Sequence, residues 1–425
     1  MIFRFEDTAH VTKEELSAQA PNLEPYIERL NKVAKADNYM YEESSINLPF
    51  DGDILEKILK LRAKYATPKL KYILDIGIGG SNLGTKAIYD AMYGYFDMVE
   101  PDRFPKMIFA DTNDPVFIYK LYEFLRTKIN DPAEMIINAV SKSGKTTETI
   151  VNLDIIASNV PFAKERLVIT TNYNSDLWKT ARDLGIDCLP IPGNVGGRFS
   201  TFSSVGLFPL ACLGLDVTEL LKGAMEARKG CLIGNTLKNP AAISATVIFL
   251  NYIKGKLIHD QFFFHPELES LGKWYRQLMG ESIGKDGKGI TPTVSIGSTD
   301  LHSMGQLYLG GIKDKFFTFI STKNPKIDIS VPQEPLLEIL SEVEEKSTSE
   351  IMNAILGGVK AAFLKKDLPF MEIILDDISP SALGQYMQFK MMEMMMLGKL
   401  LGVNAFDQPS VESYKQETRK ILTGR

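Results

Sequence analysis

Cysteine and histidine are both scarce in this chain of 425 residues, which has three of the first and four of the second. Cys188, Cys212 and Cys231 are odd in number and widely spaced, and no CxxC pair occurs. This argues against a disulfide framework and a thiolate zinc site, and for reduced thiols in a reducing compartment. Long apolar runs are missing as well. Stretches such as Ala241 to Leu250 are too short and too interrupted to span a bilayer. The opening MIFRFEDTAHVTKEEL has no apolar core of the kind a secretory signal needs. The expectation is a cytoplasmic protein with no membrane partner. Neither sign of charge dominates: Lys+Arg is 48 against Asp+Glu 53, a net charge of -5. No general attraction to nucleic acid follows, so any anion site must be local.

What is present is an ordinary globular composition, 44% hydrophobic and 24% charged, at a length suited to two or three domains. The first sixty-odd residues are charged and helix-prone. From Lys71 onward, short apolar runs end in Gly, Ser, Thr or Asp and lead into helical patterns. Tyr72–Ile76, Met107–Ala110, Met135–Val140 and Leu167–Thr171 are the strand-like runs. A mostly helical stretch, Ser203 to Ile258, precedes further runs at Gln261–Phe264, Thr293–Ile296, Phe316–Ile320 and Phe370–Leu375. Such alternation predicts an α/β fold with parallel-rich sheets flanked by helices, in three αβα layers. The expected division is a helical arm over 1–65, α/β domains over 66–215 and 216–400, and a C-terminal segment over 401–425. The helix predicted over Ala382–Leu401 carries Met387, Met391, Met392, Met394, Met395 and Met396, a stripe read as adaptable core or subunit packing rather than a binding groove.

The glycines cluster in loops. Asp75-Ile76-Gly77-Ile78-Gly79-Gly80-Ser81-Asn82-Leu83-Gly84 follows a strand, but Asn82 stands where a dinucleotide fingerprint needs its third glycine. It remains a tight turn suited to one phosphoryl group, or a turn serving strand-to-helix geometry alone. Ser141-Lys142-Ser143-Gly144-Lys145-Thr146-Thr147-Glu148 mimics a P-loop, yet Ala139 replaces the first glycine. Its hydroxyls at a helix start make a compact phosphate cradle, or an uncomplexed N-cap. Arg198, flanked by Gly196-Gly197, is either aimed at an oxyanion or a surface charge. Glu281 lies between Gly280 and Gly284 where a helix must end, and an acid there opposes the helix dipole. Of the histidines, His302 alone occupies a strand-end loop, while His10 is in the polar arm and His259 and His265 flank an aromatic strand. By spacing alone, Lys415 is one more helical lysine.

Taken in order, DIGIGGSNLG, SKSGKTTE, GGRFS, GESIGK, the STDLHS loop and FDQPSVESYK resemble the glucose-6-phosphate isomerase (phosphoglucose isomerase) family, across Asp75 to Lys415. The resemblance implies two sugar-isomerase (SIS) α/β domains, glycolytic and gluconeogenic chemistry, and a homodimer or higher assembly. It places the phosphate on Gly80, Ser81, Ser141, Lys142, Ser143 and Thr146, and the sugar on Gln277 and Gln408. Arg198 corresponds to the enediolate-steadying arginine, Glu281 to the base, and His302 and Lys415 to the ring-opening pair. His302 would enter from the neighbouring subunit, with Glu148 supporting it. No cofactor and no metal are required, because the reaction moves one proton and involves neither redox nor group transfer. Lys145 replaces a commoner threonine and is expected to tighten phosphate binding; Ser410 and Ile283 replace a commoner glycine and asparagine. The rival readings are a non-catalytic SIS-type phosphosugar-binding regulator, against which Glu281, His302 and Lys415 speak, and a nucleotide-dependent enzyme, against which Asn82 and Ala139 speak.

Overall fold

The computed structural model describes residues 1–323, 325, 327–337 and 339–424. Two five-stranded sheets organise the chain. The strands are β1 (Ile2–Arg4), β2 (Tyr72–Ile76), β3 (Lys106–Ala110), β4 (Met135–Val140), β5 (Leu167–Asn172), β6 (Asp187–Ile191), β7 (Ile258–Phe263), β8 (Thr291–Ile296), β9 (Lys315–Thr322) and β10 (Phe370–Leu375). The first sheet runs β3-β2-β4-β5-β6 and is wholly parallel. The second runs β1-β10-β9-β7-β8 and is parallel except for β1, which pairs antiparallel with β10.

Two strands escape the sequence pattern. Within the expected N-terminal helical arm, Ile2-Phe3-Arg4 forms an edge strand, too short for its period to register. β6 contains Pro190, which cannot donate to a ladder, and accordingly lies at the edge of its sheet.

In the first sheet the chain leaves β2 for β3 on one side, then returns to β4 on the other. The crevice between β2 and β4 is therefore the topological switch point, where open parallel sheets receive ligands at their carboxyl ends. Beneath it runs a buried polar ladder. Asn138 Nδ2 donates to Asp75 Oδ1 at 2.6 Å, and Thr170 Oγ1 donates to Asn138 Oδ1 at 3.2 Å. Among the described residues Asp75 Oδ2 has no partner, and burial pushes the carboxyl up to about 8.

That shift has a consequence for stability. Between the ordinary value of 3.8 and about 8, the folded chain keeps a proton that the unfolded chain has released. Stability then falls as pH rises through this window, by up to about 1.4 kcal/mol per pH unit. Asp75→Asn cannot titrate, so its melting temperature is expected to fall less than the wild type's from pH 5 to pH 8. Parallel melting curves would refute the shift.

The second half is built around the helix Pro380–Leu401, whose six methionines are all fully buried. It crosses the helix Val217–Cys231 where Gly223 and Gly384 meet opposing backbone; a Cβ on either would lie within 2.0 Å of a carbonyl oxygen. Lys390 and Glu393 on this helix form a buried ion pair at 2.8 Å. Tyr275 OH donates to Glu393 Oε1 at 3.3 Å, tying in the helix Glu269–Ile283. His259 lies in the same network and burial keeps it neutral. The three cysteines are unpaired, and burial pushes Cys212 and Cys231 up to about 12. Among the described residues, no helix is long and apolar enough to cross a membrane.

Candidate active site

Within the first sheet, the helices away from the crevice are closed by their own side chains. Asp114 caps Pro115–Lys128 and Ser175 caps Asp176–Asp183. The two helices that flank the crevice are not. Leu83–Tyr93 begins at Asn82 and Thr147–Asn159 at Thr146, neither with a side-chain cap. Thr146 Oγ1 instead accepts from Ser141 Oγ at 3.0 Å. First-turn N–H groups are thus left facing the switch point from both sides, with the hydroxyls of Ser81, Ser141 and Ser143 nearby. Gly144, at φ +68°, turns the second loop. Lys142 is half-buried there; burial and then the Arg198 charge lower its pKa.

The arginine loop docks directly on the first glycine loop. A Cβ on Gly80 would meet Gly197 C at 2.2 Å and Arg198 N at 2.5 Å, so the glycine is required by backbone contact between the two loops. Arg198 is 2% exposed, and burial lowers its pKa against the opposing influence of Glu281. Its Nε donates to Ser282 Oγ at 2.8 Å, and Nη2 donates to the carbonyls of Ala405 at 2.6 Å and Asp407 at 3.1 Å. Nη1 reaches Glu281 Oε2 at 3.3 Å and Gln408 Oε1 at 3.4 Å. Three strong bonds fix the guanidinium, while the two long ones leave Nη1 as the edge that an incoming oxygen can claim. Glu281 occupies the last turn of Glu269–Ile283, and Gln277, one turn earlier, donates to its Oε1 at 3.0 Å. Gln277 also touches the glycine loop, its Nε2 lying 2.9 Å from where a Cβ on Gly79 would be. A carboxylate, a desolvated cation, two amides and a phosphate-like cradle converge here, which suits proton transfer next to a developing oxyanion.

A family model of phosphoglucose isomerase matches residues 55–310, more than half of the chain. The chain belongs to the phosphoglucose isomerase family. A glucose-6-phosphate isomerase of Methanocaldococcus jannaschii is 37% identical over 353 residues, covering 82% of this chain and 84% of that one. A glucose-6-phosphate isomerase of Clostridium tetani is 32% identical over 433 residues, covering 97% and 93%. The crystal structure of a glucose-6-phosphate isomerase from Chlamydia trachomatis shares the fold, with a TM-score of 0.80 at 22% identity, over 98% of this chain and 87% of that one.

Not every residue expected in a phosphoglucose isomerase site is gathered by one chain. Gly80, Arg198, Gln277, Glu281 and Gln408 are brought together. His302 is not among them. Its loop packs on β8 and the short helix Gly305–Gly310, and among the described residues no hydrogen bond joins its ring to Glu148. Lys415 is not joined to them either: it lies on the helix Val411–Thr423, which has no buried residue, and its ammonium pairs with Glu412 at 2.8 Å. Ser282 and the carbonyls of Ala405 and Asp407 went unnoticed in the sequence. Ser282 sits inside the GESIGK block and was findable there, whereas carbonyls carry no sequence signal.

Lys145 departs from expectation. Its ammonium pairs with Asp176 Oδ2 at 2.9 Å, and both side chains are exposed, so its charge is largely solvated. Lys145→Thr is expected to change KM for a sugar phosphate less than about twofold, since exposed pairs are weak and screened. A larger rise in KM would restore its role in phosphate binding.

Proposed function

We propose that this chain interconverts glucose 6-phosphate and fructose 6-phosphate, by opening the sugar ring and moving one proton between C2 and C1 through a cis-enediol or enediolate. The observation that carries the reading is Glu281 held 3.3 Å from the free edge of Arg198, beside two uncapped helix starts. Gly80, Ser81, Ser141, Lys142, Ser143 and Thr146 bind the phosphate, and their binding energy positions C1 and C2 against the carboxylate. Gln277 and Gln408 contact the sugar. Glu281 takes the proton from one carbon and returns it to the other on the same face. As charge develops on the enediolate oxygen, Arg198 Nη1 exchanges its long bonds for a short charged one.

Ring opening needs a proton delivered to the ring oxygen and another removed from the anomeric hydroxyl. We assign these steps to His302 and Lys415. In a homodimer, His302 enters the neighbouring subunit's site, where Glu148 supports it, and Lys415 swings in on its loosely held helix. Within one chain Glu281 bonds Arg198 and Gln277 and, among the described residues, has no hydrogen bond with His302, which favours this arrangement.

The expected result is turnover of fructose 6-phosphate in a coupled assay with chelator present; its absence would sink the reading. Mixing tests the shared site. His302→Ala and Glu281→Gln are each expected to be nearly inactive alone, but their mixed dimer holds one site with both native residues. Co-refolding the two should restore about a quarter of wild-type activity, as random pairing in a two-fold dimer requires. No recovery would mean that His302 acts within its own chain.

A further inference from the structure

Immediately after Glu281 and Ser282, the helix ends at Ile283 and the chain makes a tight turn in which Lys285 and Lys288 pair antiparallel. The side chain of Lys285 is 8% exposed. Nζ binds Asp407 Oδ1 at 2.8 Å and also the carbonyl of Asn404. Both acceptors belong to one short segment, Asn404–Asp407. That segment also offers the Ala405 and Asp407 carbonyls to Arg198 Nη2, at 2.6 and 3.1 Å.

Among the described residues, no backbone–backbone hydrogen bond begins or ends on residues 404–407. What fixes it is side chains: Asn404 Oδ1 accepts from Phe406 N at 2.8 Å, Asn404 Nδ2 donates to Glu42 Oε1 at 3.3 Å, Phe406 packs on Phe199 at 5.6 Å, Ala405 is buried, and Lys285 ties both ends. An ordinary surface lysine pairs with one exposed carboxylate and contributes little. Lys285 instead spans an irregular turn whose carbonyl directions decide where a guanidinium points.

We infer that Lys285 is a positioning residue for Arg198, acting through the Asn404–Asp407 turn. The inference rests on Arg198 being the cation that meets the enediolate. Without the Lys285 tether, the two carbonyls that receive Nη2 lose their fixed directions, and Nη1 loses its aim at the reacting oxygens. Phosphate anchoring at the two helix starts does not depend on this turn. The loss should therefore fall on kcat and on recognition of enediolate charge, not on phosphate affinity. Lys288 is the internal comparison: its Nζ binds the carbonyl of Leu401 at 2.8 Å, closing the end of Pro380–Leu401 without touching the turn.

The test compares Lys285→Met, Lys285→Arg, Lys288→Met and Arg198→Lys. The readouts are kcat and KM for fructose 6-phosphate, and affinities for inorganic phosphate and for a phosphorylated aldonate whose carboxylate stands for the enediolate oxygens. Lys285→Met should lower kcat and aldonate affinity in parallel, by about tenfold to a hundredfold, with phosphate affinity within about twofold. Lys285→Arg should recover most of the loss, and Lys288→Met should keep wild-type kcat and aldonate affinity. Lys285→Met with only a lower melting temperature, its kcat and aldonate affinity intact, overturns the inference. If Lys285→Met does not fold, Asp407→Asn decides, since it weakens the same tether from the other end; unchanged kcat and aldonate affinity there overturn it equally. A fully active Arg198→Lys removes the assignment of Arg198 and the inference with it. An impaired Arg198→Lys beside a fully active Lys285→Met overturns the inference alone.

Discussion

Glu281→Gln is expected to lower kcat for fructose 6-phosphate by about 10²–10⁴-fold, with KM changed less than about threefold, because only the general base is lost. The substitution suits the site. Glutamine keeps the shape and can still accept from Arg198 Nη1, as Glu281 does at 3.3 Å. Gln277 now donates to Glu281, and its own Oε1 is buried without a partner among the described residues. An amide flip of Gln277 would let it accept from the introduced amide instead, so the variant should fold normally. Two readouts separate chemistry from damage: the melting temperature should be nearly unchanged, and exchange of the migrating proton with deuterated solvent should fall together with kcat. A variant retaining more than about a tenth of wild-type turnover would remove Glu281 from the role of base.

Arg198→Lys is expected to cost about 10²–10³-fold in kcat although the charge is conserved. The native guanidinium divides its work among three edges, Nε on Ser282, Nη2 on two carbonyls and Nη1 on the reacting side. An ammonium is a point donor on a flexible stem and cannot serve a hydroxyl, two carbonyls and a developing oxyanion in fixed directions. Ser282 Oγ and the Ala405 carbonyl are left without their donor in a buried place, so the melting temperature should fall as well. The kinetic loss distinguishes the proposed role from a purely structural one. If kcat of the folded enzyme stayed within about tenfold of wild type, Arg198 would be a fold-stabilising residue and not the enediolate's partner.

Much of this arrangement could be read from residues alone. Strand β2 was visible as Tyr72–Ile76, β4 as Met135–Val140 and β10 as Phe370–Leu375, each a compact apolar run ended by polar or small residues. The buried methionine helix was equally plain, since six methionines on one helix have no common polar purpose. β1 and β6 escaped because an edge strand of three residues and one interrupted by Pro190 lack a periodic signal. The polar ladder of Asp75, Asn138 and Thr170 escaped for a different reason. Its members lie on three strands that become neighbours only when the sheet forms.

The amino-acid sequence by itself determined which chemical groups are available: one carboxylate at a helix end, an arginine between glycines, hydroxyl-rich loops after strands, and a single histidine in a strand-end loop. Local rules suffice for this, because periodicity, turn residues and motif spacing are properties of neighbouring positions. Tertiary structure decided the rest. The order of strands put the crevice between β2 and β4, the missing caps left two helix starts open to it, and Gly80 let the Arg198 loop come into contact. It also directed Lys145 to Asp176, and tied Lys285 to the turn that aims Arg198. These are questions of direction and distance between segments far apart in the chain, as with Arg198 and Gln408 at a separation of 210. Side-chain identity states what a group can do; only packing states what it faces.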